Sequence, residues 1–174
     1  MKELLTLLAE YNQTANRQLY DLLGNADPDL ISKKTGSYFH TILGLLNHVL
    51  TSDLRWLAGF RDSNLEVPAL DSPTLDFIDP GWGNNLYDKF ADLDEHRKKT
   101  DSLFVDFVAA TPEALFAGPI EITRPDRSKT VTFPFGKIVL HVFNHQTHHR
   151  GAVSHILDQS GVENDFSNVM QLLM

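Results

Sequence analysis

The chain has 174 residues, 42% of them apolar and 22% charged, with no cysteine and a formal net charge of −8. These figures are those of a soluble domain able to bury a core without staples, and they exclude disulfides, thiolate metal sites and a cysteine nucleophile. The acidic balance and the lack of a Lys/Arg cluster disfavour nucleic acid as a partner. No run approaches the ~18 apolar residues of a membrane span. The start, MKELLTLLAEYNQ, lacks the basic-then-apolar pattern of a signal peptide, so a cytoplasmic protein is expected.

Apolar residues recur in steps of three and four at Leu5, Leu8, Tyr11, Ala15, Leu19 and Leu22, which predicts a first helix from Lys2 to about Leu23. Gly24 and Asn25 stop it, and Asp27-Pro28 begins a connector. A second helix is predicted from about Phe39 to Phe60. Residues Ser63 to Asp79, punctuated by Pro68 and Pro73, and then Pro80-Gly81-Trp82-Gly83, read as a long irregular loop. A third helix fits Leu86 to Ala109, with Phe90, Leu93, Phe104 and Phe107 on one side and the run DLDEHRKKTD as a solvated face. The β-rich pieces IEIT and TVTF flank the turn-like RPDRSK and predict a hairpin. A fourth helix begins near Pro134 or Phe135, where a missing N–H costs little, and ends at Gly161. The tail VENDFSNVMQLLM adds a short terminal helix. The expected fold is all-α: one domain over 1–174, an up-down four-helix bundle with long crossovers and a small hairpin before the last long helix.

Five of the eight histidines lie in HVFNHQTHHRGAVSH, residues 141 to 155. At about 100° per residue, His149 lies about 40° and His145 about 80° from the apolar centre of the fourth helix. His141, His148 and His155 lie about 120° or more away. His145 and His149 therefore face inward one turn apart, a spacing that lets two imidazoles share one ion. The alternative is two core histidines bonded to carbonyls or carboxylates. The order HQTHH, without a Glu after the first His, speaks against a metalloprotease-like base. A third ligand has to come from elsewhere: His40, His48, His96 or a carboxylate. His96 sits in the charged run and reads as solvated; His40 reads as capping or surface. His48 lies far from the apolar centre of the second helix, on a stripe with Thr41, Gly44, Ser52 and Arg55. Asp53 points to that centre and needs a partner there, either a ligand histidine or an arginine such as Arg150. Trp56 falls on the apolar side, whereas Trp82 reads as a loop-packing or ligand-contacting residue.

The segments LLAEYNQTANRQLYDLL, GSYFHTILGLLNHVLTSDLRWLAGF and HVFNHQTHHRGAVSHIL together resemble the DinB/YfiT-like family of metal-dependent proteins over nearly the full length. That family is unrelated to the DNA polymerase of the same name. The resemblance implies a three-histidine metal site in a four-helix bundle, with His48, His145 and His149 as ligands; His141, His148 and His155 are then peripheral, with His141 the one expected to support a ligand. It implies one divalent transition metal ion, zinc or nickel, since imidazole suits several such ions. Where the family commonly has HRGQ, this chain has HRGA, so Ala152 removes an amide from the site.

The resemblance further implies a small-molecule substrate and a low-molecular-weight thiol, used by a thiol-dependent S-transferase. With no cysteine in the chain, a thiolate has to come from a co-substrate. The alternatives are a hydrolase using metal-activated water and a non-catalytic metal- or ligand-binding stress protein. Relatives pair through bundle helices, so a homodimer is expected.

Overall fold

The computed structural model describes residues 1–63, 65–123 and 128–172. In chain order its elements are α1 (Lys2–Gly24), α2 (Pro28–Ser32), α3 (Ile42–Arg61), α4 (Phe90–Ala110), α5 (Glu113–Phe116), β1 (Pro119–Thr123), β2 (Thr130–Pro134) and α6 (Phe135–Gln159). The four long periodic segments become α1, α3, α4 and α6, and each buries the stripe its spacing announces. Leu19 and Leu23, Leu50 and Leu54, Phe104 and Phe107, and Val139 and Phe143 meet in one core.

Side-chain pairs fix the helix directions. Lys2 bonds to Ala109, Asn16 to Asp101, and Tyr20 stacks on Phe90, so α1 and α4 are antiparallel. Asn47 bonds to Tyr87, Asp53 to Arg97, and Phe60 stacks on Phe107, so α3 and α4 run the same way. His48 meets His145, and Phe60 meets Phe135, so α6 opposes α3. The bundle therefore has one pair of helices up and one pair down, and long crossovers join them as expected. Among the described residues no helix is long and apolar enough to cross a membrane.

The hairpin forms where IEIT and TVTF place it, with Pro119 opposite Pro134 and Thr123 opposite Thr130. Ile120 is its buried anchor. Residues 124–127 of the expected turn lie outside the described residues.

Long-range contacts change several element boundaries. α4 starts at Phe90 rather than Leu86: Asn47 Nδ2 donates to Tyr87 O, a carbonyl that would accept a helical bond if the helix began at Leu86, and Asn47 Oδ1 accepts from Leu86 N and Tyr87 N. α3 starts at Ile42, where the Thr41 hydroxyl accepts from Gly44 N, a standard N-terminal cap. Immediately before it, His40 adopts a positive φ of 64°. Two short helices fall inside the expected connectors. Asp27 caps α2 by accepting from Asp29 N, and α5 seats Phe116 on Phe135 at 5.2 Å. The loop after α3 is not bare: Val67, Leu70 and Leu75 are buried, and two 3-10 turns carry Leu70 and Leu75. The tail forms a 3-10 turn over Val169–Leu172.

The charged run on α4 is a solvated face only in part: Asp92, Glu95, Lys98 and Lys99 are exposed, but Arg97 and Asp101 are buried. Arg97 is 2% exposed, and its guanidinium pairs with Asp53 of α3 at 2.6 Å and with Asp101 at 2.8 Å. Asp101 accepts from Asn16 of α1, which also donates to Gln146 of α6. Arg150 donates to Asn12 and Asn16 and lies over the Tyr11 ring. The partner of Asp53 is thus Arg97, not Arg150. A polar layer crosses the bundle and draws on all four long helices.

Candidate metal centre

His48 on α3 and His145 and His149 on α6 come together where these antiparallel helices touch. His145 Nε2 lies 3.1 Å from His48 Nε2 and 3.1 Å from His149 Nε2, and the three donor atoms all lie within 4.8 Å of one another. The helix wheel sorts the α6 histidines correctly by burial. His145 and His149 are half-buried, while His141, His148 and His155 are exposed. His48 reaches the cluster because the groove between α3 and α6 opens on the side of α3 away from its apolar centre.

Local packing orients the rings. Phe39 stacks on His48 with centroids 4.2 Å apart and meets His149 edge-on at 5.7 Å. Gly44 makes this turn possible: a Cβ there would lie 2.3 Å from Phe39 O. Trp56 packs with Phe60 and lies 6.0 Å from His141. No hydrogen bond joins His141 to the three histidines among the described residues. His96 takes no part either, and it is not solvated. It is half-buried, receives the Tyr87 hydroxyl at Nδ1 and meets Thr74 O at Nε2. His40 is exposed in the positive-φ turn before α3.

The electrostatics favour neutral imidazoles. Burial pushes His145 down to about 4 and His149 to about 3, and the neighbouring imidazoles add to both shifts. Burial and then Arg55 lower His48 as well. Neutral rings crowded Nε2 to Nε2 cannot all be satisfied by one another, since each pair can share only one proton. A cation satisfies all three lone pairs at once. The 3.1 Å contacts are close to the ~3.3 Å expected between neighbouring nitrogens ~2.0 to 2.1 Å from a tetrahedral ion. The cluster could therefore hold a metal ion. One support common in such sites is missing among the described residues: His145 Nδ1 is buried without a hydrogen-bond partner, so no acceptor holds its tautomer.

Beside His48 lies a cavity of about 310 Å³. Phe39, Gly44 and Thr51 form part of its wall, and the loop residues Trp82, Asn84 and Asn85 another part. Arg55, two turns beyond His48 on α3, also lines it, bonded to Asp79 and covered by the Trp82 ring at 4.6 Å. Sequence reasoning left Phe39, Asn47 and Arg55 without a role here. The position of Arg55 on the His48 stripe was the one available signal.

A four-helix bundle with three histidines from two antiparallel helices, one of them lining a cavity, defines the class. A family model described as the DinB family matches residues 1–172. Protein DinB of Bacillus subtilis (strain 168) is 27% identical over 155 residues, which cover 88% of this chain and 84% of that protein. The chain belongs to the DinB family.

Proposed function

We propose that His48, His145 and His149 hold one divalent transition metal ion, zinc or nickel, and that the protein is a cytoplasmic thiol-dependent S-transferase working as a homodimer. The observation that carries this reading is the convergence of three imidazole donor atoms within 4.8 Å of one another, one of them from His48 on the wall of a cavity. Three protein donors leave room for an exogenous ligand. When bound, a divalent ion supplies Lewis acidity that lowers the pKa of a thiol or water next to it.

The chain's own residues perform the rest. Phe39 fixes the plane of His48 and keeps water off one face. The depressed pKa values keep the imidazoles unprotonated near neutrality. The thiol has to arrive with a small molecule, since the chain has no cysteine.

Metal analysis of tag-free protein, followed by turnover of monochlorobimane with several low-molecular-weight thiols, tests the reading. Stoichiometric metal and thiol-dependent turnover are expected. No metal uptake refutes the site. Thiol-independent turnover of esters would identify a hydrolase instead, and inactivity in both assays a binding protein.

A further inference from the structure

The chain carries 23 Asp and Glu residues, yet among the described residues none of them lines the cavity beside His48. Of the twelve residues that do, Arg55 is the one with a formal charge. Its side chain is 16% exposed. Asp79 engages Nε and Nη2, whereas Nη1 has no hydrogen-bond partner among the described residues. Trp82 covers the guanidinium face at 4.6 Å. The cavity thus combines an oriented, partly desolvated cation, two aromatic surfaces in Phe39 and Trp82, and the amides of Asn84 and Asn85.

We propose that this cavity binds a small carboxylate-bearing ligand with an apolar or aromatic body. The carboxylate meets Arg55, and the body lies against Phe39 and Trp82. Arginine suits this task because its planar fork still offers donors after one carboxylate is bound. Shielding by the indole makes the contact stronger than a fully exposed pair. Seven residues separate His48 from Arg55, ~10 Å along the helix axis. The acid group and the end of the molecule near the histidines are therefore opposite ends of an elongated ligand. The cavity volume is at the small end for ligand sites. This assignment rests on the proposed metal site only for which end of the ligand reacts; the carboxylate anchor stands on Arg55.

Calorimetric titration with phenylacetate and its neutral isostere phenylacetamide tests it, on protein as purified and after chelation. The acid is expected to bind about tenfold tighter than the amide, about 1.4 kcal/mol, in both states. Arg55→Gln should erase that preference. Asp79→Asn, which removes the competing negative charge but keeps an acceptor for Gly81 N, should increase it. Equal affinities in the wild type overturn the proposal, as does failure of both probes to bind at millimolar concentration. So does a preference that survives Arg55→Gln but disappears on chelation, because the carboxylate would then belong to the histidines. If the protein takes up no metal, the functional reading fails while the acid preference stays measurable.

Discussion

Arg97→Met removes a cation that contacts two buried carboxylates, Asp53 and Asp101. Asp53 is fully buried, Asp101 is 5% exposed, and Arg97 itself is 2% exposed. Asp101 keeps its bond from Asn16, but Asp53 loses the Nη1 donor at 2.6 Å. Breaking a buried pair from one side costs about 3 to 5 kcal/mol, a large share of the roughly 5 to 15 kcal/mol that holds a domain folded. At about 2 to 4 °C per kcal/mol for a chain of this size, the melting temperature should fall by roughly 6 to 20 °C. The loss should also depend on pH. Burial already pushes Asp53 up to about 7 against the pull of Arg97, and burial raises Asp101 too. Without the cation both rise further. A carboxyl with a folded pKa above its unfolded value makes the folded state bind more protons, so stability falls as pH climbs from about 4. The Arg97→Met penalty should thus be smallest below about pH 6, where the Asp53 carboxyl is protonated with or without the cation, and should grow above about pH 7, where only the wild type ionises it. Adding Asp53→Asn should recover part of it. Urea unfolding followed by circular dichroism measures both effects. A penalty under about 1 kcal/mol, or one independent of pH, would show that the carboxylates are not desolvated as placed here.

Other outcomes follow from the same structure. His145→Ala should abolish stoichiometric metal retention while leaving the helical circular dichroism intact, and unchanged metal content would refute the three-histidine site. Metal-free protein should lose stability in urea relative to a His145→Ala, His149→Ala variant as pH falls from about 6.5 toward 4, because burial holds both folded pKa values below the unfolded one and the unfolded chain takes up protons first; a stability difference that stays constant over that window would contradict the burial of these rings. Gly44→Ala should destabilise by about 1 to 3 kcal/mol through the clash with Phe39 O and should weaken metal binding. Gly151→Ala, where an added Cβ meets open space, should instead stabilise α6 by roughly 0.5 to 1 kcal/mol.

The parts legible in the sequence were those set by local periodicity. Four long helices, the hairpin, and the inward pair His145 and His149 follow from spacing along a single element. His48 did not, because its helix has two working faces and the wheel finds only the one facing the core. Its assignment rested on family resemblance. The charged run of α4 misled for a related reason: Arg97 and Asp101 look like surface residues until Asp53, 44 residues away from Arg97, is packed against them. The start of α4 is displaced because Asn47, on another helix, binds the Tyr87 carbonyl that would have accepted a bond in its first turn.

That asparagine has a wider consequence. Asn47 is fully buried and uses its whole amide, accepting from Leu86 N and Tyr87 N and donating to Leu43 O and Tyr87 O. Its bonds moor the far end of the segment carrying Trp82 to the same turn of α3 that presents His48. One turn of helix is therefore the common reference for a wall of the cavity and for the first imidazole. A slide or rotation of α3 would carry both together, so the gap between them is held by adjacent residues rather than by agreement between distant parts of the chain.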